Sequence, residues 1–311
     1  MLPSVKKLRE NKLGEELFFE FALEDLQHAA DLLRPIYDQT DGVDGWVSLE
    51  VSPLLVHDTA NILATVRDLH ARARRPNFFI TIPGTEKGLP AIEEAILAGI
   101  PVNVSLLFSP DHFLAAAEAY LRGIERRITA GLRPNIASVA SLLIGRWDEA
   151  VTGKVPDALC NQLGIAIAKR TYKACRQLFS SPRWERAFNT GARTQRLLWA
   201  NTVTKDPKAL DVFHIKSLTA PLTVRTMSET TLKAFAEQEE IGALMPADGG
   251  DCEVVLARFV QAGVDIDALA TQLQSQETDL RVKSWIELMT VIASKCAALM
   301  QNHNEDAAGG Y

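Results

Sequence analysis

The sequence has no long apolar run and no concentration of basic residues. Its 311 residues include 33 Lys and Arg against 39 Asp and Glu, a formal net charge of -6. Proteins bind nucleic-acid backbones through clustered Lys and Arg, so this balance argues against nucleic acid as a main partner. No stretch approaches the roughly 20 apolar residues of a membrane helix, and residues 1–7 lack the apolar core of a signal peptide. We therefore expect a cytoplasmic protein without a membrane partner.

Cysteine and histidine are scarce and scattered. Cys160, Cys175, Cys252 and Cys296 lie far apart, without the CxxC or Cys/His spacing that indicates zinc. None of the six histidines pairs with a carboxylate at metal-ligand spacing. We predict reduced, structural cysteines, no metal site and no cofactor.

Apolar periodicity alternates between strand and helix along the chain. With 47% hydrophobic and 23% charged residues, the composition is typical of one globular domain spanning residues 1–311, with 302–311 as a loose tail. Strands are predicted near residues 46–51, 78–82, 102–108, 137–144, 196–201 and, weakly, 222–227. Helices are predicted near residues 17–37, 58–72, 89–98, 110–130, 155–180 and 252–300. This alternation indicates parallel strands joined by crossover helices.

Polar residues stand near the carboxyl ends of several otherwise apolar strands. Side chains alternate along a strand, so Ser48 shares a face with Glu50, and Asn103 shares one with Ser105. A β/α barrel builds its site at that end of its strands. We interpret Glu50, Asn103, Ser105 and Ser141 as pocket residues; each alone would also fit a buried polar residue satisfied by backbone.

Five strand segments, in order, resemble the strands of the transaldolase family. The resemblance runs from about Glu24 to Lys295. It is carried by the segments GWVSLEVSP (45–53), FFITIPGT (78–85), PVNVSLLF (101–108), SVASLLIGR (138–146) and RLLWANT (196–202). It implies a TIM-type β/α barrel that acts on sugar phosphates.

The resemblance also brings out what this chain does not have. Thr81 occupies the position of the family's lysine, whose amine forms a Schiff base with a ketose phosphate, and threonine has no amine. The family's first two strands, which carry an acid aspartate and an asparagine, are not found ahead of Leu17. The barrel is then incomplete, with about six recognisable strands and two open edges.

Three explanations for those edges remain open. The helix at residues 17–37 folds over the gap, another chain supplies the missing strands, or the start of the gene is misplaced. We expect an oligomer or a partner chain that covers the edges.

The resemblance assigns roles residue by residue. Glu50 shuttles protons through a water that Ser105 helps to hold, and Asn103 binds a sugar hydroxyl or the imine region. Ser141 and Arg146 line the phosphate end, where a guanidinium can bind two oxygens. Two weaker assignments follow the fifth strand: Asn201 stands where the family usually has serine, and Lys205 adds phosphate charge from a loop.

These residues predict a binding protein for fructose 6-phosphate or a similar sugar phosphate, related to the pentose phosphate pathway, without normal dihydroxyacetone transfer. One alternative is an enzyme that uses Glu50 for non-covalent proton transfer. Another treats Thr81 as an active-site variant, natural or engineered, of a working transaldolase. Lys87, six residues beyond Thr81, is a conceivable substitute nucleophile in the following loop.

Overall fold

A computed structural model describes residues 14–200, 215–236 and 243–308 of the chain. The strands in these ranges are β1 (Val47–Glu50), β2 (Phe78–Pro83), β3 (Val102–Leu107), β4 (Ser138–Leu143), β5 (Arg196–Ala200) and β6 (Thr223–Arg225). The helices are α1 (Glu15–Gln39), α2 (Thr59–Ala73), α3 (Gly88–Ala98), α4 (Pro110–Thr129), α5 (Gly145–Val151), α6 (Leu163–Leu178), α7 (Pro182–Asn189), α8 (Glu229–Ala236), α9 (Cys252–Gln261) and α10 (Ile266–Ala308).

The six described strands form one parallel sheet in chain order from β1 to β6. Every residue of β2 and of β4 is buried. Helices cover the outer face of these strands, and the curl of the sheet encloses their inner face. The sheet is curled into a half-barrel with helices outside. This confirms the predicted incomplete TIM-type barrel.

Helices α3 and α4 pack closely against each other on the outside of the sheet. Gly123 makes this approach possible, since a Cβ atom there would lie 2.7 Å from the Cβ of Ile96. Ser109 caps α4 by accepting a hydrogen bond from the His112 amide, and Pro110 is the first helical residue, as the sequence predicts.

The sheet does not close through backbone pairing in the described residues, and β1 and β6 are its two edges. Side chains join the two sides at the amino end instead. Arg193 pairs with Asp41 at 3.2 Å, and Arg196 pairs with Asp44 at 3.2 Å and also donates to the Val43 carbonyl. In the described part of the chain, the sheet ends at the two strands that the sequence predicts as its edges.

Helix α1 lies against β1 and α2. The Asn77 side-chain amide donates to the carbonyls of Ala30 and Gly45, both at 2.8 Å, which ties the helix to the start of β1. Farther along the helix, Leu32 is 82% exposed, so the outer side of α1 leaves apolar surface uncovered.

The structure corrects the helical region predicted for residues 155–180. A helical turn at Asp157–Leu159 precedes α6, which begins only at Leu163. Pro156 and Asn161, the latter at φ 59°, interrupt the segment, because proline cannot continue a helix and a left-handed residue breaks one. Helices α5 and α7, on either side, were not predicted.

Helix α10 is 43 residues long and crosses the carboxyl end of the sheet. The Gln274 side chain donates to the carbonyl of Leu106 at 2.9 Å, which fixes the helix above β3. The helix continues to Ala308, into the segment that the sequence assigns to a tail. None of the helices described combines the length and the apolar character needed to span a membrane.

Asp148 offers a test of the packing between α5 and α6. Its buried carboxylate accepts hydrogen bonds from the amides of Leu163 (3.0 Å) and Gly164 (3.3 Å), yet burial raises its pKa to about 6. A folded-state pKa above the unfolded value means that stability falls as pH rises from about 4 to 6. We expect Asp148→Asn to remove this fall, which is about 3 kcal/mol for a shift of about two pKa units.

Urea unfolding of the wild type and the variant between pH 4 and pH 7 measures this difference. Asp157→Asn, an exposed acid in the preceding turn, should leave the wild-type pH profile unchanged. Parallel profiles for Asp148→Asn and the wild type would contradict the assignment.

Candidate functional site

A row of hydrogen-bonded side chains crosses the inner face of the first four strands. The hydroxyls of Ser48 and Thr81 lie 2.6 Å apart, and the Asn103 amide donates to Ser48 at 3.3 Å. Ser141 donates to the Asn103 carbonyl oxygen at 2.7 Å. The structure therefore brings Thr81, Asn103 and Ser141 together, with Ser48 as the residue that links them.

A bulge in β3 shapes the next layer of this interior. The pairing of β3 with β4 shifts register between Val104 and Leu107, and Leu106 has φ 62°, a left-handed conformation that is unusual for leucine. Such bulges re-aim side chains, and strained residues of this kind cluster at functional sites. The bulge immediately follows Ser105, whose Oγ is buried without a hydrogen-bond partner among the described residues.

Glu50, at the carboxyl end of β1, faces the same interior as Ser105. Burial raises the pKa of Glu50, and this outweighs the lowering effects of Arg281 and of the nearby Ser105 hydroxyl. Ser105 is close enough to influence the carboxylate without the geometry of a full hydrogen bond. The Glu50 side chain is 45% exposed, so it combines an elevated pKa with access to water.

Helix α10 adds charged groups that the sequence did not assign to the site. Arg281 bonds to the Glu50 carboxylate, and its Nε lies 3.5 Å from Glu277. Glu277 in turn accepts from Arg146 at 3.1 Å. Glu50 and Arg146 are thus connected through two residues of the last helix.

A pocket of about 440 Å³ lies between β1 and α10, with charged groups on its walls and apolar residues around them. Glu50, Arg146, Glu277 and Arg281 line it. The sequence does show that α10 has a polar face, since Gln274, Glu277 and Arg281 follow helical spacing. Nothing local indicates that this face turns toward the sheet.

The remaining predicted residues fall into two groups. Asn201 and Lys205 lie outside the described residues. The Lys87 side chain is 55% exposed and pairs with Glu86 at 3.3 Å, in the loop between β2 and α3. Among the described residues, no group of three His, Cys, Asp or Glu side chains is arranged to hold a metal ion.

Comparison with known proteins agrees with this architecture. The family model described as Transaldolase/Fructose-6-phosphate aldolase matches residues 2–292. The chain belongs to this family. The resemblance drawn from the five strand segments is thereby confirmed.

Curated relatives of this chain are named as transaldolases. A transaldolase of Parafrankia sp. (strain EAN1pec) is 40% identical over 277 residues, which cover 86% of this chain and 75% of the relative. A transaldolase of Thermobifida fusca (strain YX) is 40% identical over 283 residues, covering 88% and 77%. Transaldolase 2 of Nostoc punctiforme is 34% identical over 308 residues, covering 93% and 80%.

The pairing of Glu50 with Arg281 gives a pH prediction. The guanidinium lowers the pKa of Glu50 by charge and by hydrogen bonding, so Arg281→Met should move the Glu50 titration to higher pH. Carboxyl-carbon NMR of glutamate-labelled protein measures it, with Glu50→Gln assigning the signal. Arg34→Met, which removes an exposed arginine paired with Asp38, is the control. An unchanged or lower midpoint in Arg281→Met would show that the pair does not form in solution.

Proposed function

We infer that this member of the transaldolase family binds fructose 6-phosphate or a similar sugar phosphate in the half-barrel interior and does not carry out dihydroxyacetone transfer. We assign it to the cytoplasm and to metabolism related to the pentose phosphate pathway. The observation that carries this inference is Thr81. Thr81 lies in a strand that resembles the family's strand for the Schiff-base lysine, at the position where that lysine is expected. Its side chain is buried and its hydroxyl is hydrogen-bonded to Ser48.

The loss of transfer activity follows from the chemistry of the groups present. Schiff-base formation needs a free amine close to the substrate carbonyl, and a hydroxyl cannot replace it. No lysine lines the pocket between β1 and α10 in the described structure. Lys87, solvated in its loop, is poorly suited to the role.

Binding is supported by the polar groups that remain. Ser48, Asn103 and Ser141 offer hydroxyl and amide groups suited to sugar hydroxyls. The buried Ser105 Oγ lacks a partner, and such an atom is normally satisfied by water or ligand. Arg146 and Arg281 offer guanidinium groups suited to a phosphate, at present bridged by Glu277.

One observation favours a second candidate function. Glu50 has a raised pKa and reaches solvent through the pocket, which are the properties of a general base. Under this reading the protein would catalyse a proton transfer on a sugar phosphate without a covalent intermediate. Turnover that Glu50→Gln abolishes would establish it.

We expect fructose 6-phosphate to bind the wild type without becoming trapped. After incubation with fructose 6-phosphate and borohydride, the wild type should keep its intact mass, because no amine is placed to form the imine. Thr81→Lys should gain the mass of one reduced adduct, and isothermal titration should show binding to the wild type. Arg146→Met should weaken that binding by about tenfold or more, the effect of losing one charge-assisted contact.

The controls separate the alternatives. Thr81→Met, similar in size to lysine but without an amine, should give no adduct. An adduct on the wild type would overturn the proposal, and peptide mapping would then start with Lys87. An active Thr81→Lys enzyme would favour the reading of Thr81 as a variant of a working transaldolase.

We further propose that a partner chain covers the open edge at β1. Val47 and Val51 donate their amides toward the β2 side of the sheet, to Asn77 and Thr81, so the amides of Ser48 and Glu50 point to the open side. Hydrogen exchange at these two amides should be fast in dilute protein and slower at concentrations where an oligomer forms. Fast exchange at every concentration, despite oligomer formation, would exclude strand pairing at this edge.

A further inference from the structure

The pocket between β1 and α10 holds a carboxylate at the point where its two arginines converge. Glu277 Oε2 accepts a hydrogen bond from Arg146 Nε at 3.1 Å, and Glu277 Oε1 lies 3.5 Å from Arg281 Nε. Only 13% of the Glu277 side chain is exposed. One carboxylate therefore bridges two guanidinium groups, and a phosphate bound at this end of the pocket would need the same donors.

The two contacts of Glu277 differ in how easily an entering anion can replace them. Arg281 follows Glu277 by four residues on α10, so the two side chains are neighbours on one helix. Arg146 belongs to α5, where it also donates to Glu149 at 3.1 Å, on the side away from the pocket lining. An anion that takes Arg146 from Glu277 leaves the Glu277 carboxylate beside Arg281. The displaced carboxylate is then not an unpaired buried charge.

A sugar phosphate has the charge needed to displace the Glu277 carboxylate. A phosphate monoester carries a charge of about -1.5 to -2 at neutral pH and presents three strong acceptor oxygens, more than a carboxylate offers. An uncharged sugar has only hydroxyl groups, which bond to a guanidinium more weakly than a carboxylate does. The contact between Glu277 and Arg146 should therefore distinguish phosphorylated from unphosphorylated sugars.

We propose that Glu277 occupies the place of the ligand's phosphate and competes with it for Arg146, which makes Glu277 a specificity-determining residue of the pocket. This rests on the proposed function, because it concerns the same site and the same class of ligand. The apparent affinity for a sugar phosphate is lowered by the fraction of molecules in which Glu277 holds Arg146. Removal of this one carboxylate from the pocket therefore strengthens binding.

Isothermal titration of the full chain with fructose 6-phosphate, and with fructose as the uncharged analogue, tests the proposal. Glu277→Gln keeps the shape of the side chain without its charge and should tighten binding of fructose 6-phosphate by about tenfold or more. Glu277→Asp, one methylene shorter, should also tighten it, because its carboxylate is drawn back from Arg146. Neither variant should gain affinity for fructose. Gln274 still holds α10 above β3 in both variants.

Glu149→Gln is the matched control, since it removes a carboxylate from the same arginine at the same distance of 3.1 Å, outside the pocket lining. It should change the affinity far less than Glu277→Gln. Equal gains for the two variants would show that the charge around Arg146 matters and the place of Glu277 does not, and would overturn the proposal. A matching gain for fructose would overturn it as well.

The titrations also separate this proposal from the proposed function. If the wild type binds fructose 6-phosphate and Glu277→Gln binds it equally or more weakly, the competition is overturned and the proposed function stands. Binding by Glu277→Gln but not by the wild type would support the competition and overturn the proposed function. Binding by none of the proteins would overturn both.

Discussion

The half-barrel depends on side-chain hydrogen bonds that cross its strands on the inside. Among the described residues, backbone pairing runs from β1 to β6 without closing, so this ladder alone does not hold the curl of the sheet. Ser48, Thr81, Asn103 and Ser141 connect four strands across the interior, and the arginines of the β5 region reach across to the turn before β1. Buried polar groups are costly unless paired, so this row favours one curvature over others.

Local pattern was sufficient for the elements with strong periodicity. The fully buried run of β2 and the capped start of α4 are recognisable from a few residues each. The period of two correctly puts Ser48 on the same face as Glu50, and Asn103 on the same face as Ser105. The helix predicted from residue 155 begins too early, because the apolar residues near Pro156 belong to a turn. Gln274, Glu277 and Arg281 could not be assigned, since their contacts depend on the path of α10 across the sheet.

Membership of the transaldolase family accounts for the architecture more fully than for the chemistry. Relatives about 40% identical to most of this chain indicate a common scaffold, and one scaffold can carry different chemistry at its inward positions. The threonine at position 81 joins the interior row through a hydrogen bond with Ser48 while offering no amine. The proposed function thus separates binding of a sugar phosphate from covalent catalysis on the same scaffold.

The ion pair between Glu50 and Arg281 joins residues that are 231 positions apart. During synthesis the strands and their crossover helices leave the ribosome in order and can assemble as they appear, since their contacts are mostly between neighbours in the chain. The pocket between β1 and α10 cannot form until α10 has been synthesised. Until the last helix emerges, the nascent sheet presents an uncovered carboxylate and an unsealed bulge at β3, and any ligand pocket is a product of the completed chain alone.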